Sequence, residues 1–254
     1  MGDRQLRRVL RSGLAAGFNA MPAALRAQVT RANRVRPGNR GVWGSLRRTR
    51  PVSDHFGYDR GTPVDRPLIE GFLARHRSLV RGRVLEVKAP DYTRRYGGAA
   101  VTSEVVVDID PTNAAATLVA DLCEPGSLDA LTVDCVILTQ TLQFLTSPDA
   151  ALRNVWACLA PGGSLLVTAP CTSGVDPWLG DHDFWRFTAN GLRVLLEQCC
   201  PGAEIATEPL GNVLLCVGFL YGLAAEELDE SEYAVSDPNF ALTVGAVVTR
   251  APAA

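Results

Sequence analysis

Strand and helix patterns alternate along the chain from residue 64 onward, and this alternation constrains the fold more than any other feature of the sequence. Short apolar runs predict strands at 83–87, 101–109, 134–139, 164–170, 203–209 and 240–250. Helical patterns lie at 63–79, 147–160, 188–200 and 212–228. The run at 134–139 is almost wholly apolar, which is typical of a strand in the middle of a parallel sheet. The sequence therefore predicts an α/β fold with a doubly wound parallel sheet, whose ligand lies at the carboxyl ends of the strands.

The first 50 residues differ from the rest of the chain in charge. They hold twelve arginines and a single acid, Asp3, although the formal net charge of the whole chain is only −2. The remainder therefore carries an acidic surplus, and Lys88 is its only lysine. This shift in composition predicts two parts, a basic, helical N-terminal extension over 1–50 and a globular domain over 51–254.

The N-terminal extension has the pattern of an amphipathic helix. Four apolar side chains recur every four residues from Leu6 to Phe18, among arginines, which predicts a helix over 5–29 and a second, short helix over 22–32. The stretch 34–44 is turn-rich and is predicted to be a linker. Three roles stay open for the extension. It packs on the domain as a lid or shoulder, docks to a partner or second subunit, or lies on an anionic membrane surface.

The composition disfavours several classes of protein. No run of 18 apolar residues is present, so no segment is predicted to cross a membrane, and the N-terminus lacks the pattern of a signal peptide. The seven cysteines form no C-x-x-C pair and mostly lie in apolar runs, which suits reduced thiols in a bacterial cytoplasm. With three scattered histidines, no metal site is expected. The N-terminal arginines are interleaved with few aromatic residues, which disfavours nucleic acid as a partner.

The block at 134–170 is the most specific pattern in the chain. The apolar strand DCVILT is followed by QTLQFL, a helix and the phrase LAPGGSLLVTAP, in which the Pro-Gly-Gly at 161–163 is expected to end the helix. This block resembles the strand-4 to strand-5 unit of class I, S-adenosylmethionine-dependent methyltransferases, and RGRVLEV (81–87) resembles strand 1 of that family. The resemblance implies a seven-stranded, Rossmann-like sheet of order 3-2-1-4-5-7-6 with helices on both faces. It also implies an antiparallel strand at 240–250 and S-adenosyl-L-methionine as cofactor.

The segment after the first strand departs from that family. Family members have a glycine-rich loop, G-x-G-x-G, which lets backbone amides approach the cofactor. Here Lys-Ala-Pro follows Val87, and no glycine occurs before Gly97. Glu86 occupies the acidic position of the family motif. Two interpretations of Lys88 stay open, namely direct pairing with the methionine carboxylate of the cofactor or an exposed lysine at a strand end.

The resemblance places a carboxylate after strand 2, where it binds both ribose hydroxyls of the cofactor. Three residues compete for this role. Glu104 is favoured and fits if the strand ends early, Asp108 fits if the strand runs to Val107, and Asp110 is the third candidate. The position at which the strand ends therefore decides between them.

Further cofactor contacts are expected after strands 3 and 4. By position in the family motif, Asp121 accepts the adenine amino proton and the backbone amide of Leu122 reaches the ring, while Asp121 also fits the N-cap of a helix. Gln140 follows strand 4 and is expected to border the sulfonium and the substrate. The predicted cofactor-binding residues are Glu86, Val87, Lys88, Tyr92, Glu104, Asp121, Leu122 and Gln140.

Two further phrases resemble a bacterial subgroup of the family that tolerates loss of the glycine-rich loop. GDHDFWRFTANGLRVLLE (180–197) is similar to a D-Y-W-R-F-T-x-x-G-L stretch whose side chains line the substrate pocket. The subgroup also pairs HFGYDRGTPVDRPLIEGFL (55–73) with YTRRYGG (92–98). Asp183 and His182 are the candidates for a general base. The predicted substrate-binding residues are Tyr58, Arg60, Arg94, Arg95, Trp185 and Arg186.

The function predicted from these patterns is O-methylation of a small metabolite, a sugar-containing or carboxylate-bearing natural-product intermediate. Arg186 either clamps a carboxylate or phosphate or bridges backbone carbonyls structurally. The alternative function keeps the fold without methyl transfer, as a binding scaffold or a cyclase, and the missing glycine-rich loop favours it. A NAD-dependent dehydrogenase is disfavoured because G-x-G-x-x-G is absent after the first strand.

Overall fold

The computed structural model describes residues 21–34, 44 and 47–253. Contacts between residues divide the chain into two units, Met1–Thr49 and Arg50–Ala254. In the first unit, the bounds of helix α1 (Ala23–Arg34) agree within two residues with those of the helix predicted at 22–32. The helix predicted over 5–29 and the linker predicted at 34–44 lie largely outside the described residues.

A seven-stranded sheet forms the centre of the second unit. Its strands are β1 (Gly82–Val87), β2 (Val101–Asp108), β3 (Leu118–Val119), β4 (Val133–Thr139), β5 (Leu159–Pro170), β6 (Glu204–Leu210) and β7 (Thr243–Thr249). They lie in the order β3-β2-β1-β4-β5-β7-β6. Strands β1 to β5 pair in parallel, and β7 pairs antiparallel with both β5 and β6. The predicted sheet order and the antiparallel last strand are therefore confirmed.

Helices cover both faces of this sheet, and their ends follow local capping chemistry. They are α2 (Arg66–Arg75), α3 (Pro148–Cys158), α4 (Ala189–Cys199), α5 (Val213–Tyr221) and the short α6 (Glu230–Tyr233). The amide of Gly191 donates to the hydroxyl of Thr188 at 3.0 Å, so Thr188 is the N-cap of α4 as predicted. Helix α5 ends earlier than predicted, because Gly222 takes a left-handed φ of 69° that closes the helix.

The Pro-Gly-Gly phrase at 161–163 does not lie where the sequence predicts. Helix α3 ends at Cys158, and β5 begins at once at Leu159, so the phrase lies inside the strand. Gly162 has a φ of +77°, and the pairing of β5 with β4 shifts register between Val133 and Cys135. The phrase therefore forms an irregularity in the strand, for which a glycine at positive φ is suited.

Strand β4 is buried on both faces, as its apolar sequence predicts. Cys135 and Ile137 pack on the side of the sheet covered by α2, in a cluster with Phe72. Val136 and Leu138 pack on the opposite side, in the cluster that includes residues of α3 and α4. This alternation is the two-residue period of a strand that is covered on both faces.

Neither a membrane span nor a metal cluster occurs among the residues that the structure describes. No helix there has both the length and the apolar character needed to cross a bilayer. No three or more His, Cys, Asp or Glu side chains are arranged there to hold a metal ion. The seven cysteines are all free thiols.

Candidate functional site

Two clefts open at the carboxyl ends of the strands. The larger, of about 1080 Å³, is lined by residues at the ends of β1, β2 and β4, including Val87, Asp108 and Thr139. The smaller, of about 600 Å³, is lined by residues at the end of β5 and the start of β7. Both clefts share part of their lining, namely Tyr58, Pro63, Arg66, Lys88, Gln140, Phe144 and Leu179. The two spaces are therefore neighbours at the edge where a doubly wound sheet binds ligands.

Glu86 lines the larger cleft and organises the loop after β1. Its carboxylate accepts hydrogen bonds from the backbone amides of Tyr92, at 3.1 Å, and Thr93, at 2.7 Å. Burial raises the pKa of Glu86 above its ordinary value, although these hydrogen bonds act in the opposite direction. Val87 and Tyr92 also line this cleft, so the predicted residues after β1 lie together.

Lys88 takes the backbone conformation that glycine favours. Its φ is +71°, its amide donates to the carbonyl of Val107 at 2.9 Å, and its carbonyl accepts from Nδ2 of Asn113 at 2.7 Å. The turn that follows β1 is therefore built without glycine, at the cost of a left-handed lysine. The side chain is exposed and lines both clefts.

Replacing Lys88 by glycine removes both its left-handed backbone strain and its charged side chain, and two measurements report on these separately. We expect Lys88→Gly to raise the free energy of unfolding by about 1 kcal/mol, because the left-handed strain is removed. If Lys88 pairs with the methionine carboxylate as one interpretation of the sequence predicts, Lys88→Gly should also weaken S-adenosylhomocysteine binding about tenfold. Urea denaturation and isothermal titration calorimetry measure the two effects.

Lys88→Gln is the matched control, because it removes the charge and keeps a residue with a side chain at the left-handed backbone position. We expect it to weaken S-adenosylhomocysteine binding without a gain in stability. Both variants should bind methylthioadenosine, which lacks the carboxylate, as the unchanged protein does. Equal losses of affinity for both ligands would show that Lys88 does not contact the carboxylate.

The structure corrects the predicted ribose ligand. Strand β2 continues to Asp108, which lines the larger cleft, and Val87 pairs with Val107 in the adjacent strand. Glu104 lies in the middle of β2 opposite Val84, and is not among the residues that line either cleft. Its carboxylate instead accepts hydrogen bonds from Nε and Nη2 of Arg94, at 2.9 to 3.2 Å. Asp108 therefore replaces Glu104 as the candidate.

Asp108 is held in place at the end of its strand. Its Oδ1 accepts from the amide of Asp110 at 3.1 Å, and its Oδ2 accepts from Nδ2 of Asn113 at 2.6 Å. A carboxylate has about four acceptor positions, so two contacts leave capacity for a diol. Asp110 is exposed and bonds to Thr112 instead.

The remaining predicted cofactor residues also border the larger cleft. Asp121 accepts from the amide of Cys123 at 2.8 Å, and Leu122 beside it is buried. Gln140 has a φ of +45°, and its Nε2 donates to Oγ1 of Thr243 at 2.9 Å. Gln140 lines both clefts, and its place at the boundary of cofactor and substrate stays a prediction from the resemblance.

The contacts of Asp183 argue against its predicted role as a general base. Its carboxylate lines the smaller cleft, but its side chain is only 3% exposed and is paired with both Nη atoms of Arg186. The amide of Asp176 donates to it as well, at 2.8 Å. Burial acts to raise the pKa of Asp183, but these hydrogen bonds outweigh it and leave the pKa below the ordinary value. A carboxylate held in this way is a weak proton acceptor.

The arginines predicted to bind the substrate mostly form ion pairs with carboxylates of the same chain. Arg186 pairs with Asp183 and also donates to the carbonyls of Trp185 and Gly174, and these contacts favour its structural interpretation. Arg60 pairs with Glu227 and Arg95 pairs with Glu70. Of the predicted substrate residues, Tyr58 lines both clefts, Arg95 the larger and Arg186 the smaller. Among the described residues, Arg60, Arg94 and Trp185 line neither cleft.

Three ring side chains from the 180–197 phrase, those of His182, Phe184 and Trp185, differ in their relation to the larger cleft. His182 and Phe184 line the larger cleft, and their rings meet edge to face at 6.3 Å. Trp185 donates its indole N–H to the carbonyl of Leu145 at 2.9 Å. His182 stays a predicted base, at the rim of the larger cleft.

Asp65 and Arg66 are site residues that the sequence reading missed. Arg66 lines both clefts and donates to the hydroxyls of Tyr92, at 2.5 Å, and Tyr58, at 2.9 Å. Asp65 lines the smaller cleft, and burial raises its pKa to about 6, against the opposing charge of Arg66. Both residues belong to the 55–73 phrase and lie at the start of α2, and this position was the available signal.

The sheet order and the paired clefts at the strand ends define a Rossmann-like fold of class I methyltransferase type. Residues 87–167 match a family model described as a methyltransferase domain. The chain therefore has the fold of the class I, S-adenosylmethionine-dependent methyltransferases, and its residues 87–167 are similar to their methyltransferase domain.

Comparison with solved structures agrees on the fold. The [4+2]-cyclase SpnF is 18% identical with a TM-score of 0.50, over 80% of this chain and 89% of that one. The plantazolicin methyltransferase BamL, solved with a triazolic desmethylPZN analogue and S-adenosylhomocysteine, is 9% identical with a TM-score of 0.50, over 74% and 88% of the respective chains. No curated protein matches the sequence. At these identities the likeness shows the fold alone.

Proposed function

We propose that the protein transfers a methyl group from S-adenosylmethionine to an oxygen atom of a small metabolite, of the kind made in natural-product pathways. The observation that carries the proposal is the pair of adjoining clefts, which share Lys88 and Gln140 at the strand ends. When bound, S-adenosylmethionine supplies a methyl group on a sulfonium that is already activated. The protein then has mainly to align two reactants, and two neighbouring spaces suit that task.

The donor and acceptor groups of the larger cleft fit S-adenosylmethionine. Asp108 would accept hydrogen bonds from the ribose hydroxyls, and Asp121 would accept from the adenine amino group beside Leu122. Lys88 would pair with the methionine carboxylate, which substitutes a charge for the missing loop amides. Glu86 would hold the loop after β1 in position, because its carboxylate accepts hydrogen bonds from the amides of Tyr92 and Thr93.

The smaller cleft is the proposed acceptor site. Gln140 separates it from the larger cleft, and Tyr58 borders both. Of the two acceptor groups considered from the sequence, a hydroxyl is better supported than a carboxylate. The reason is that Arg60, Arg94 and Arg186 are paired with carboxylates of this chain and are not free to bind an anion.

Ligand binding tests the proposal directly. Isothermal titration of the full chain should give one site for S-adenosylhomocysteine, with a Kd of roughly 1 to 100 μM, in the range of ordinary enzyme substrates. NAD serves as the control dinucleotide and should not bind, because the phosphate-binding glycines are absent. If S-adenosylmethionine and S-adenosylhomocysteine both fail to bind, the proposed function is wrong.

A scaffold or cyclase function is the second candidate, and the loop after β1 is the feature that favours it. The Lys-Ala-Pro segment cannot present amides as a glycine-rich loop does. Against this, Lys88 keeps a glycine-like φ, so the turn itself is retained. The two functions differ in one outcome. A cyclase or scaffold binds S-adenosylhomocysteine but transfers no tritiated methyl group to any acceptor.

The remaining expectations concern residues 1–50 and the location of the protein. The division into a basic extension over 1–50 and a methyltransferase domain over 51–254 is proposed from composition. The extension's roles as a lid, as a docking segment for a protein partner or as a membrane-surface segment stay predictions. A cytoplasmic location in a bacterium likewise stays a prediction from cysteine and arginine usage.

A further inference from the structure

The three carboxylates that line the smaller cleft in the described part of the chain differ in how many hydrogen bonds and ion pairs they make within the chain. Asp183 is paired with Arg186, and Oδ1 of Asp176 accepts from the amides of Trp178 and Leu179, at 2.8 and 3.1 Å. These two side chains hold the segment that forms one wall of the cleft. The third carboxylate in the lining, that of Asp65, lies on a different element, at the start of α2.

Asp65 is the N-cap residue of α2, but its side chain does not cap the helix. Its backbone is helical, with φ −76° and ψ −23°, and its side chain makes no capping hydrogen bond to α2. Thr188 and Asn212, at the starts of α4 and α5, do cap their helices through their side chains. The carboxylate of Asp65 therefore lacks the capping hydrogen bond that Thr188 and Asn212 make, although its partial burial carries a cost.

The other walls of the smaller cleft are aromatic. They are lined by Phe56, Tyr58, Phe144, Trp178 and Phe219. Trp178 contacts the rings of His55, at 5.0 Å, and Tyr58, at 6.2 Å, so these side chains form one cluster. Flat aromatic side chains bind flat apolar ligands well, because ring stacking adds to the area buried.

Among the described residues, three cations line this cleft, Arg66, Lys88 and Arg186, and only Arg186 is paired with a carboxylate. Arg186 is neutralised by Asp183, and Arg66 directs its guanidinium to the hydroxyls of Tyr58 and Tyr92. Lys88 borders both clefts and is assigned above to the cofactor carboxylate. A carboxylate or phosphate placed among these rings would lose part of its hydration. To gain a partner it would have to displace the contacts of Arg66 with Tyr58 and Tyr92 or compete with the cofactor for Lys88.

We propose that the smaller cleft binds an uncharged, flat-ring alcohol or phenol, and that Asp65 accepts the hydroxyl proton during methyl transfer. The inference rests on the proposed function and specifies its acceptor class and its base. In the reaction the hydroxyl oxygen forms a bond to the methyl carbon while the carbon–sulfur bond breaks. The electron pair of that bond goes to sulfur, and the hydroxyl proton passes to the Asp65 carboxylate. The products are a methyl ether and S-adenosylhomocysteine.

A matched pair of ring compounds tests the acceptor class. We choose 2-naphthol and 2-naphthoate, which share the ring system and differ in the polar group. In titration of the full chain saturated with S-adenosylhomocysteine, 2-naphthol should bind at least about tenfold more tightly. With S-adenosylmethionine, 2-naphthol should yield its methyl ether, measured by mass spectrometry. Equal or tighter binding of 2-naphthoate, or no binding and no methylation of 2-naphthol, would overturn the proposal.

Asp65→Asn tests the base, because it keeps the shape of the side chain and removes its basicity. We expect kcat with 2-naphthol to fall about 100-fold, with S-adenosylhomocysteine affinity unchanged. In the unchanged protein, kcat/KM should fall below a pH of about 6, where Asp65 becomes protonated, and the variant should lack this limb. The charged or titratable groups that face Asp65 are Arg66, Tyr92 and Tyr233, none of which titrates near pH 6.

Thermal unfolding gives a readout that does not depend on turnover. A carboxyl with a raised folded-state pKa favours folding only when it is protonated, so its contribution is lost as the pH rises from about 4 to about 6. Asp65→Asn should therefore unfold at a higher temperature than the unchanged protein at pH 7.5, and at about the same temperature at pH 4. The control Asp149→Asn removes a carboxylate that pairs with Arg153 away from both clefts, and it should change neither kcat nor the acidic limb of kcat/KM.

The outcomes separate this inference from the proposed function. If the unchanged protein does not bind S-adenosylhomocysteine, the proposed function fails. If it binds S-adenosylhomocysteine and methylates 2-naphthol, but Asp65→Asn keeps the kcat and the acidic limb, Asp65 is not the base. If it binds S-adenosylhomocysteine and prefers 2-naphthoate, only the acceptor class is wrong.

Discussion

Asp108→Asn is expected to weaken S-adenosylhomocysteine binding by about 10- to 100-fold, whereas Glu104→Gln should leave it unchanged. A carboxylate at the end of β2 would accept a hydrogen bond from each of two ribose hydroxyls. An amide has only one acceptor oxygen, and hydrogen bonds to a charged group contribute about 1.5 to 3 kcal/mol each. The loss of one such bond corresponds to the predicted factor. Isothermal titration with purified variants measures it.

The two variants form a matched pair because both remove a negative charge from β2. Glu104 loses its exposed pair with Arg94, which is worth little in water, and its position outside the clefts predicts no effect on binding. Asp108→Asn also disturbs the contact with Asn113, so thermal unfolding of the ligand-free variant should be recorded to report on the loop. A larger loss of affinity in Glu104→Gln than in Asp108→Asn would reverse the assignment.

Asp183→Ala is expected to lower the free energy of unfolding by about 3 kcal/mol. The carboxylate is 3% exposed and its partner guanidinium, of Arg186, is 26% exposed, so removal of Asp183 leaves a largely buried charge without its partner. Urea denaturation at pH 7 measures the change. The effect should shrink in acid. The pKa of Asp183 is lowered by folding, so its contribution is present above its unfolded pKa and is lost as the pH falls through the folded value.

The double variant Asp183→Ala with Arg186→Met distinguishes the buried charge from the loss of packing. Removing both partners takes away the unpaired guanidinium, so we expect the double variant to recover much of the lost stability. A double variant less stable than Asp183→Ala alone would show that the hydrogen bonds of Arg186 to backbone carbonyls stabilise the wall of the cleft more than its ion pair with Asp183 does.

The order of elements was predictable because local patterns decide it. The apolar sequence of β4 identifies a strand that is buried on both faces, and both faces are covered in the structure. Thr188 precedes an amphipathic segment and caps it, as local capping chemistry requires. Such features depend on residues within a few positions of one another.

The errors at the candidate site have a common physical cause. Whether Glu104 or Asp108 faces the cleft depends on where β2 ends, and that end is set by pairing with β1 rather than by the sequence of β2. The arginines were predicted to face a substrate, but Arg60 is paired with Glu227, which lies 167 positions away. Partners at such distances are brought together only by the fold, so charge along the sequence cannot reveal them.

The hydrogen bond between Gln140 and Thr243 joins residues 103 positions apart. Thr243 is buried and also donates to the carbonyl of Ala169, so the three strands β4, β5 and β7 are tied at one point. The boundary between the two clefts is thus formed by residues at the end of a middle strand and in the last strand of the chain. An exchange of the C-terminal strand between relatives would therefore move this boundary, even though no residue of the larger cleft had changed.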